Sequence, residues 1–214
     1  MHCVGKCKVN HQGSAAAMRP VGAVRIFSRS EDLYCIKYTQ YLGGRDSASF
    51  KRVVESKPYG DITIEKLECV GHIQKRCGSR LRRLKSSSIS LKLSDGKGLS
   101  GLGWLTDKTI VSLQNYFGFA IRQNAGNLAD MRASVKAVLP HRASSSQKPM
   151  HDSCPDGVES WCGFKRNPDN YKHRKGIPQP ILYFIKPVFD ALSSEELLSK
   201  CLHGKTQMRP HTVQ

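Results

Sequence analysis

Tyr34-Cys35-Ile36-Lys37-Tyr38-Thr39-Gln40-Tyr41-Leu42 runs into Gly43-Gly44, and Ile62-Thr63-Ile64-Glu65-Lys66-Leu67-Glu68-Cys69 follows further along. Both stretches are aromatic or β-branched and alternate with polar residues, the pattern of half-buried strands. Between them Ser47 is placed to cap a helix to about residue 56, with Phe50, Val53 and Val54 on its inner face. The turn Lys57-Pro58-Tyr59-Gly60-Asp61 then leads into the second strand. Strand, crossover helix and strand predict a parallel pair, so the fold class is α/β.

Upstream, the alanine-rich stretch from Ser14 through Met18, Val21, Val24, Ile26 and Phe27 predicts a helix to about residue 30. Pro20 kinks it if it falls beyond the first turn. After Cys69 the apolar period becomes 3.6: Ile73, Cys77, Leu81 and Leu84 share one face, and Arg76, Arg80 and Arg83 share another. Ser, Gly and Lys dominate 86–104, which reads as a loop. Helices are expected over 106–123, with Ile110, Leu113, Phe117 and Ile121 inward, and over 127–139. Two more are expected over 181–192 and 194–202, the last opened by the capping-box pattern Ser193-Ser194-Glu195-Glu196. Residues 140–180 hold six of the ten prolines and read as irregular or metal-stapled.

The 214 residues suffice for one ordinary domain or two small ones. Lys and Arg number 34 against 17 Asp and Glu, a net charge of +17 that calls for a polyanionic partner, nucleic acid first. A merely solvated basic surface is the plainer alternative. No run of about 18 apolar residues occurs, which excludes a membrane-spanning helix, and Met1-His2-Cys3-Val4-Gly5-Lys6 has no apolar signal region. The eight cysteines lack the spacing of a disulfide scaffold, so a reducing compartment is expected.

Four constellations can carry chemistry. Asp46 follows the first strand, where α/β sheets place ligand-binding groups, and a carboxylate there can hold a divalent metal; a simple turn-former is the other reading. Cys69 and His72 lie three residues apart at a strand-to-helix junction, either as zinc ligands or as a buried thiol beside a helix-start histidine. His151, Cys154 and Cys162 supply three good zinc ligands in a core-poor segment, with His141 or the Cys69/His72 pair able to complete the set; scattered Cys and His in a loop is the other reading. Cys3, Cys7 and His11 form a weaker cluster near the terminus. The fourth is the helix with Lys75, Arg76, Arg80, Arg83 and Lys85, where cations recur with no acid between Gln74 and Lys92, a phosphate-contacting pattern.

Several words in one order resemble the transposases of Mutator-like DNA transposons, in the form common in animal and especially arthropod genomes. They include Ile26-Phe27-Ser28-Arg29-Ser30, Tyr41-Leu42-Gly43 leading to Asp46-Ser47, and Ser56-Lys57-Pro58-Tyr59-Gly60. Glu68-Cys69-Val70-Gly71-His72-Ile73-Gln74-Lys75-Arg76 is the most specific. Leu105-Thr106-Asp107-Lys108, Leu113-Gln114-Asn115-Tyr116-Phe117-Gly118, Cys154-Pro155-Asp156-Gly157, Ser160-Trp161-Cys162 and Cys201-Leu202-His203-Gly204-Lys205-Thr206-Gln207 complete the series. The similarity runs from about residue 10 to 207.

The resemblance implies an RNase H-like catalytic domain, with three carboxylates around two Mg²⁺ ions and a mainly helical insertion between the second acid and the third. It divides the chain into a Cys/His-rich remnant (1–13), a partial RNase H-like core (14–85), a basic flexible loop (86–105), a helical insertion (106–205) with a zinc-stapled segment at 141–162, and a divergent tail (206–214). Where the family reads Gly-Asp-Gly-Asp-Ser, this chain reads Gly43-Gly44-Arg45-Asp46-Ser47, and the tail Met208-Arg209-Pro210-His211-Thr212-Val213-Gln214 lacks the family's Asn-Glu word. Asp46 is then at most one acid of three. The expectation is the central part of a transposase, nuclear and DNA-binding, without catalysis of its own. The alternative is a domesticated, zinc-stapled adaptor for DNA or protein. An open strand edge predicts self-association; neither a membrane nor a small-molecule substrate is expected.

Overall fold

The computed structural model describes residues 13–44, 47–94, 96, 98–99 and 104–206. Asp46, the Cys3/Cys7/His11 cluster and the tail from 207 lie outside the described residues. The chain divides into two compact units, Met1–Leu67 and Glu68–Gln214. Among the described residues it is helix-rich with a two-stranded parallel sheet, an α/β architecture.

In the first unit, α1 (Ala15–Ser28) starts where the Ser14 side chain accepts the Ala17 N–H, and it continues through Pro20. α2 (Ser30–Tyr34) follows directly. β1 (Gln40–Gly43), α3 (Ser47–Glu55) and β2 (Glu65–Glu68) make the expected strand, helix and strand. Phe27, Val53, Tyr59 and Ile64 form its core, with Tyr38, Tyr41 and Phe50 packed around them.

Both strands are shorter than the reading of 34–42 and 62–69. Ser30 explains the first. Its hydroxyl lies 2.9 Å from the carbonyls of Phe27 and of Ile36 and 2.5 Å from the Tyr59 hydroxyl. The Tyr59 hydroxyl also accepts the Tyr38 N–H. Together with the left-handed turn at Cys35 (φ 54°), these bonds occupy the backbone that a longer strand would give to its ladder. Pairing begins only where the Glu65 N–H reaches the Thr39 carbonyl at 2.8 Å.

In the second unit, α4 (Val70–Ser87) and α5 (Asp107–Arg122) pack as an antiparallel pair. Gln114 sits over Gly78 and Gln74 over Gly118, so each helix spends a glycine where the other places an amide side chain. Ile73, Cys77 and Leu81 of α4 meet Ile110, Leu113, Phe117 and Ile121 of α5 in the core, as their spacing requires. α6 (Leu128–Ala143), α8 (Gln179–Leu192) and the short α9 (Glu195–Ser199) close over this pair, and α7 (Gly163–Arg166) is a single turn. The Phe117 and Phe189 rings meet edge to face with centroids 6.0 Å apart. No helix among the described residues is long and apolar enough to cross a membrane.

Both ends of this unit converge. Cys69 precedes α4 without a side-chain cap. The cap comes from 135 residues away: Thr206 Oγ1 accepts the Gly71 N–H at 2.8 Å, and the Lys205 carbonyl accepts the Val70 N–H. A Cβ on Gly71 would lie 2.9 Å from that oxygen, so the close approach requires glycine.

Candidate metal centre

Helix α6 does not stop before Pro140 but continues through His141 and Arg142 to Ala143. A proline inside a helix loses one backbone bond and usually marks an end. Here the extra turn is closed by the Ser144 N–H on the Pro140 and His141 carbonyls. His141 is thereby fixed on a helix in the core, 3% exposed, rather than in a loop.

Around it converge His151, Cys154 and Cys162, all buried, with ligand atoms within 4.8 Å of one another. His141 Nδ1 and His151 Nδ1 are 3.2 Å apart. Cys154 Sγ lies 3.6 Å from His141 Nδ1 and 3.9 Å from His151 Nδ1, and Cys162 Sγ lies 3.4 Å from His151 Nδ1. Tetrahedral zinc with Zn–N near 2.0–2.1 Å and Zn–S near 2.3 Å requires edges of about 3.3 Å between nitrogens and about 3.6 Å between nitrogen and sulfur. These four distances are close to those edges, and the cluster can hold a metal ion such as zinc. Two sulfurs and two imidazoles suit zinc and not magnesium, which prefers oxygen.

Charge is arranged for the same purpose. A hydrogen bond from the Cys154 thiol, assisted by His141, holds the Cys162 sulfur well below the ordinary thiol range against the effect of burial. The same bond, then burial, pushes Cys154 up, so the pair shares a proton that a cation displaces. Burial holds His151 below its ordinary value of 6.5, against the opposing pull of Cys162, which favours the neutral ring that binds metal. By contrast, burial pushes Cys77 and Cys201 up to about 12, as befits structural thiols.

The surrounding shell orients these four side chains. Ligation at Nδ1 would leave the proton of His151 on Nε2, which faces Ser144 Oγ at 2.8 Å and His173 Nε2 at 3.0 Å. His151 stacks on Phe164 with centroids 4.4 Å apart. His141 lies edge to face with Trp161 and Tyr116, and Trp161 Nε1 donates to Ser134 Oγ at 2.7 Å.

Of the residues expected to ligate metal, His151, Cys154 and Cys162 are brought together, and His141 is their fourth. Cys69 and His72 stand outside this cluster: Cys69 is buried at the start of α4, and His72 is exposed on its first turn. Among the described residues no other group of three or more His, Cys, Asp or Glu gathers in this way. On α4, Lys75, Arg80 and Arg83 are exposed and carry no ion pair among the described residues. Arg76 turns back to Glu68 at 3.4 Å, and Lys85 reaches Asp107 at 3.4 Å. The helical spacing of Arg76 gives no hint of that pairing, because Glu68 belongs to the preceding strand.

The family model for the Mutator-like transposase matches residues 2–162, and the chain belongs to that family. Comparisons with curated proteins and with solved structures give no match.

Proposed function

We propose that this chain serves DNA transposition as a DNA-holding, zinc-clasped part of a Mutator-like transposase that does not cut strands by itself. The observation that carries the reading is the membership of the family over residues 2–162. On this proposal 14–85 belongs to an RNase H-like core, and 106–205 is the helical insertion. The return of the chain after that stretch to the start of α4, Thr206 on Gly71, supports an insertion, because an inserted segment must come back to its host. Asp46 is the retained acid, and Cys69 with His72 marks the junction after the second strand. Mg²⁺ chemistry in the family needs several carboxylates at two ions about 3.5–4 Å apart. The donor cluster among the described residues is the wrong chemistry for it, so no step is derived through that metal. The protein works in the nucleus, where its substrate is. Among the described residues the sheet has two short strands, and another copy can add at its edge.

DNA is held through phosphates by the exposed face of α4. The pairing of Arg76 and Lys85 narrows that face to Lys75, Arg80 and Arg83, with Arg76 and Lys85 as secondary contacts. Titration of duplex DNA over a range of salt, with Mg²⁺ or Mn²⁺ present, tests both halves of the proposal. Replacing Lys75, Arg80 and Arg83 by Gln is expected to flatten the slope of log affinity against log salt by about 2–3 units. An unchanged slope would make α4 a solvated surface. No nicked product is expected; metal-dependent nicking that disappears in Asp46→Ala would restore the enzyme. An adaptor for another protein is the second reading, favoured by an apolar groove of about 450 Å³ beside α6 and α8, lined in part by Leu139, Pro140, Leu182 and the exposed Tyr183.

A further inference from the structure

Residues 163–178 carry five cations, Lys165, Arg166, Lys172, Arg174 and Lys175, against the single carboxylate of Asp169. Lys165 is answered by Asp156 at 2.8 Å. Arg166, Lys172, Arg174 and Lys175 are exposed, and none carries an ion pair among the described residues. The segment has little secondary structure or apolar content to hold such like charges side by side. Three contacts do so instead, and all lead to the metal centre.

His173 faces inward between Lys172 and Arg174, with its Nε2 3.0 Å from the Nε2 of the ligand His151. Tyr171 and His173 both lie against Phe164, two residues after the ligand Cys162. Gly176 passes so close to α6 that a Cβ would strike the Ala143 carbonyl, and the Ile177 N–H bonds the Arg142 carbonyl at 2.8 Å, one residue after the ligand His141. Beneath this strip, the buried Nε of Arg142 has no hydrogen-bond partner among the described residues. Cations gathered without counter-charge repel one another, and the arrangement is relieved by an anion laid along it.

We infer that this strip, Arg166, Lys172, Arg174 and Lys175, is a second phosphate-binding surface for duplex DNA, and that metal at His141, His151, Cys154 and Cys162 holds it in shape. The inference rests on the DNA-binding reading above. It assigns the zinc a role in holding DNA as well as in folding, because the ordered strip presents its charges at fixed spacing and an unclasped one does not.

The test uses the full chain with a short labelled duplex. Changing all four residues to Gln is expected to lower the salt slope by about 3–4 units, zinc content staying at one per chain. Chelation of the wild-type protein should lower the slope to that of the variant and leave the variant's own slope unchanged. If the loop variant keeps the wild-type slope while the α4 variant loses its share, this inference is overturned and DNA binding stands. If neither variant changes, the DNA-binding reading falls with it. A wild-type slope unmoved by chelation removes the metal dependence; where chelation also melts the helices, the loop variant alone decides.

Discussion

Cys162→Ser is expected to empty the metal centre and lower the thermal midpoint by about 8–16 °C. Cys162 is fully buried, and its sulfur is held in the thiolate range by the Cys154 thiol and by His141. Serine cannot supply a thiolate, and three remaining ligands do not close a structural site. A metal present at a thousandfold its Kd contributes about 4 kcal/mol to folding. For a domain of this size each kcal/mol is about 2–4 °C. The segment between Ser144 and Pro178 holds few buried apolar side chains, so little else offsets the entropy of ordering it. Calorimetry on the variant and on chelated wild-type protein should give the same reduced midpoint. A variant that melts with the wild type would show that the centre is not what orders this segment.

Trp161→Ala should cost about 3–5 kcal/mol, the range for truncating a buried aromatic. Trp161 is 6% exposed, and its ring centroid lies 5.0 Å from His141 and 5.5 Å from Tyr116. Its loss leaves a cavity beside a metal ligand and an unanswered Ser134 hydroxyl. Zinc affinity should fall in step, since His141 loses the ring that fixes its orientation. Trp161→Phe keeps most of the packing and gives up the hydrogen bond, so about 1 kcal/mol is expected. Equal losses for the two variants, measured by denaturant unfolding, would contradict this packing argument.

The helical unit is the more legible part of the sequence. Ile73, Cys77 and Leu81, and Ile110, Leu113 and Phe117, repeat at the helical period, and periodicity of this kind reflects burial directly. Alternation over 34–42 predicts a longer strand than forms, because it cannot reveal that Ser30 and Tyr59 capture the backbone first. Pro140 hid the last turn of α6. With that turn hidden, the sequence leaves His141 and the Cys69/His72 pair as equal sources of a fourth metal-binding side chain. Three of the four clustered residues are legible as a group, because His151, Cys154 and Cys162 crowd into one proline-rich, core-poor segment. The cap of α4 by Thr206 could not be read, since no local pattern links residues 135 apart. Nor could the Arg76–Glu68 pair, which depends on where the strand meets the helix.

X-ray absorption at the zinc edge, on full-length protein purified without chelator, tests the metal centre most directly. The expected result is about one zinc per chain, with two sulfurs near 2.3 Å and two nitrogens near 2.0–2.1 Å. Protein without zinc, or zinc in a shell of oxygen and nitrogen alone, would contradict the assignment of His141, His151, Cys154 and Cys162 as its ligands.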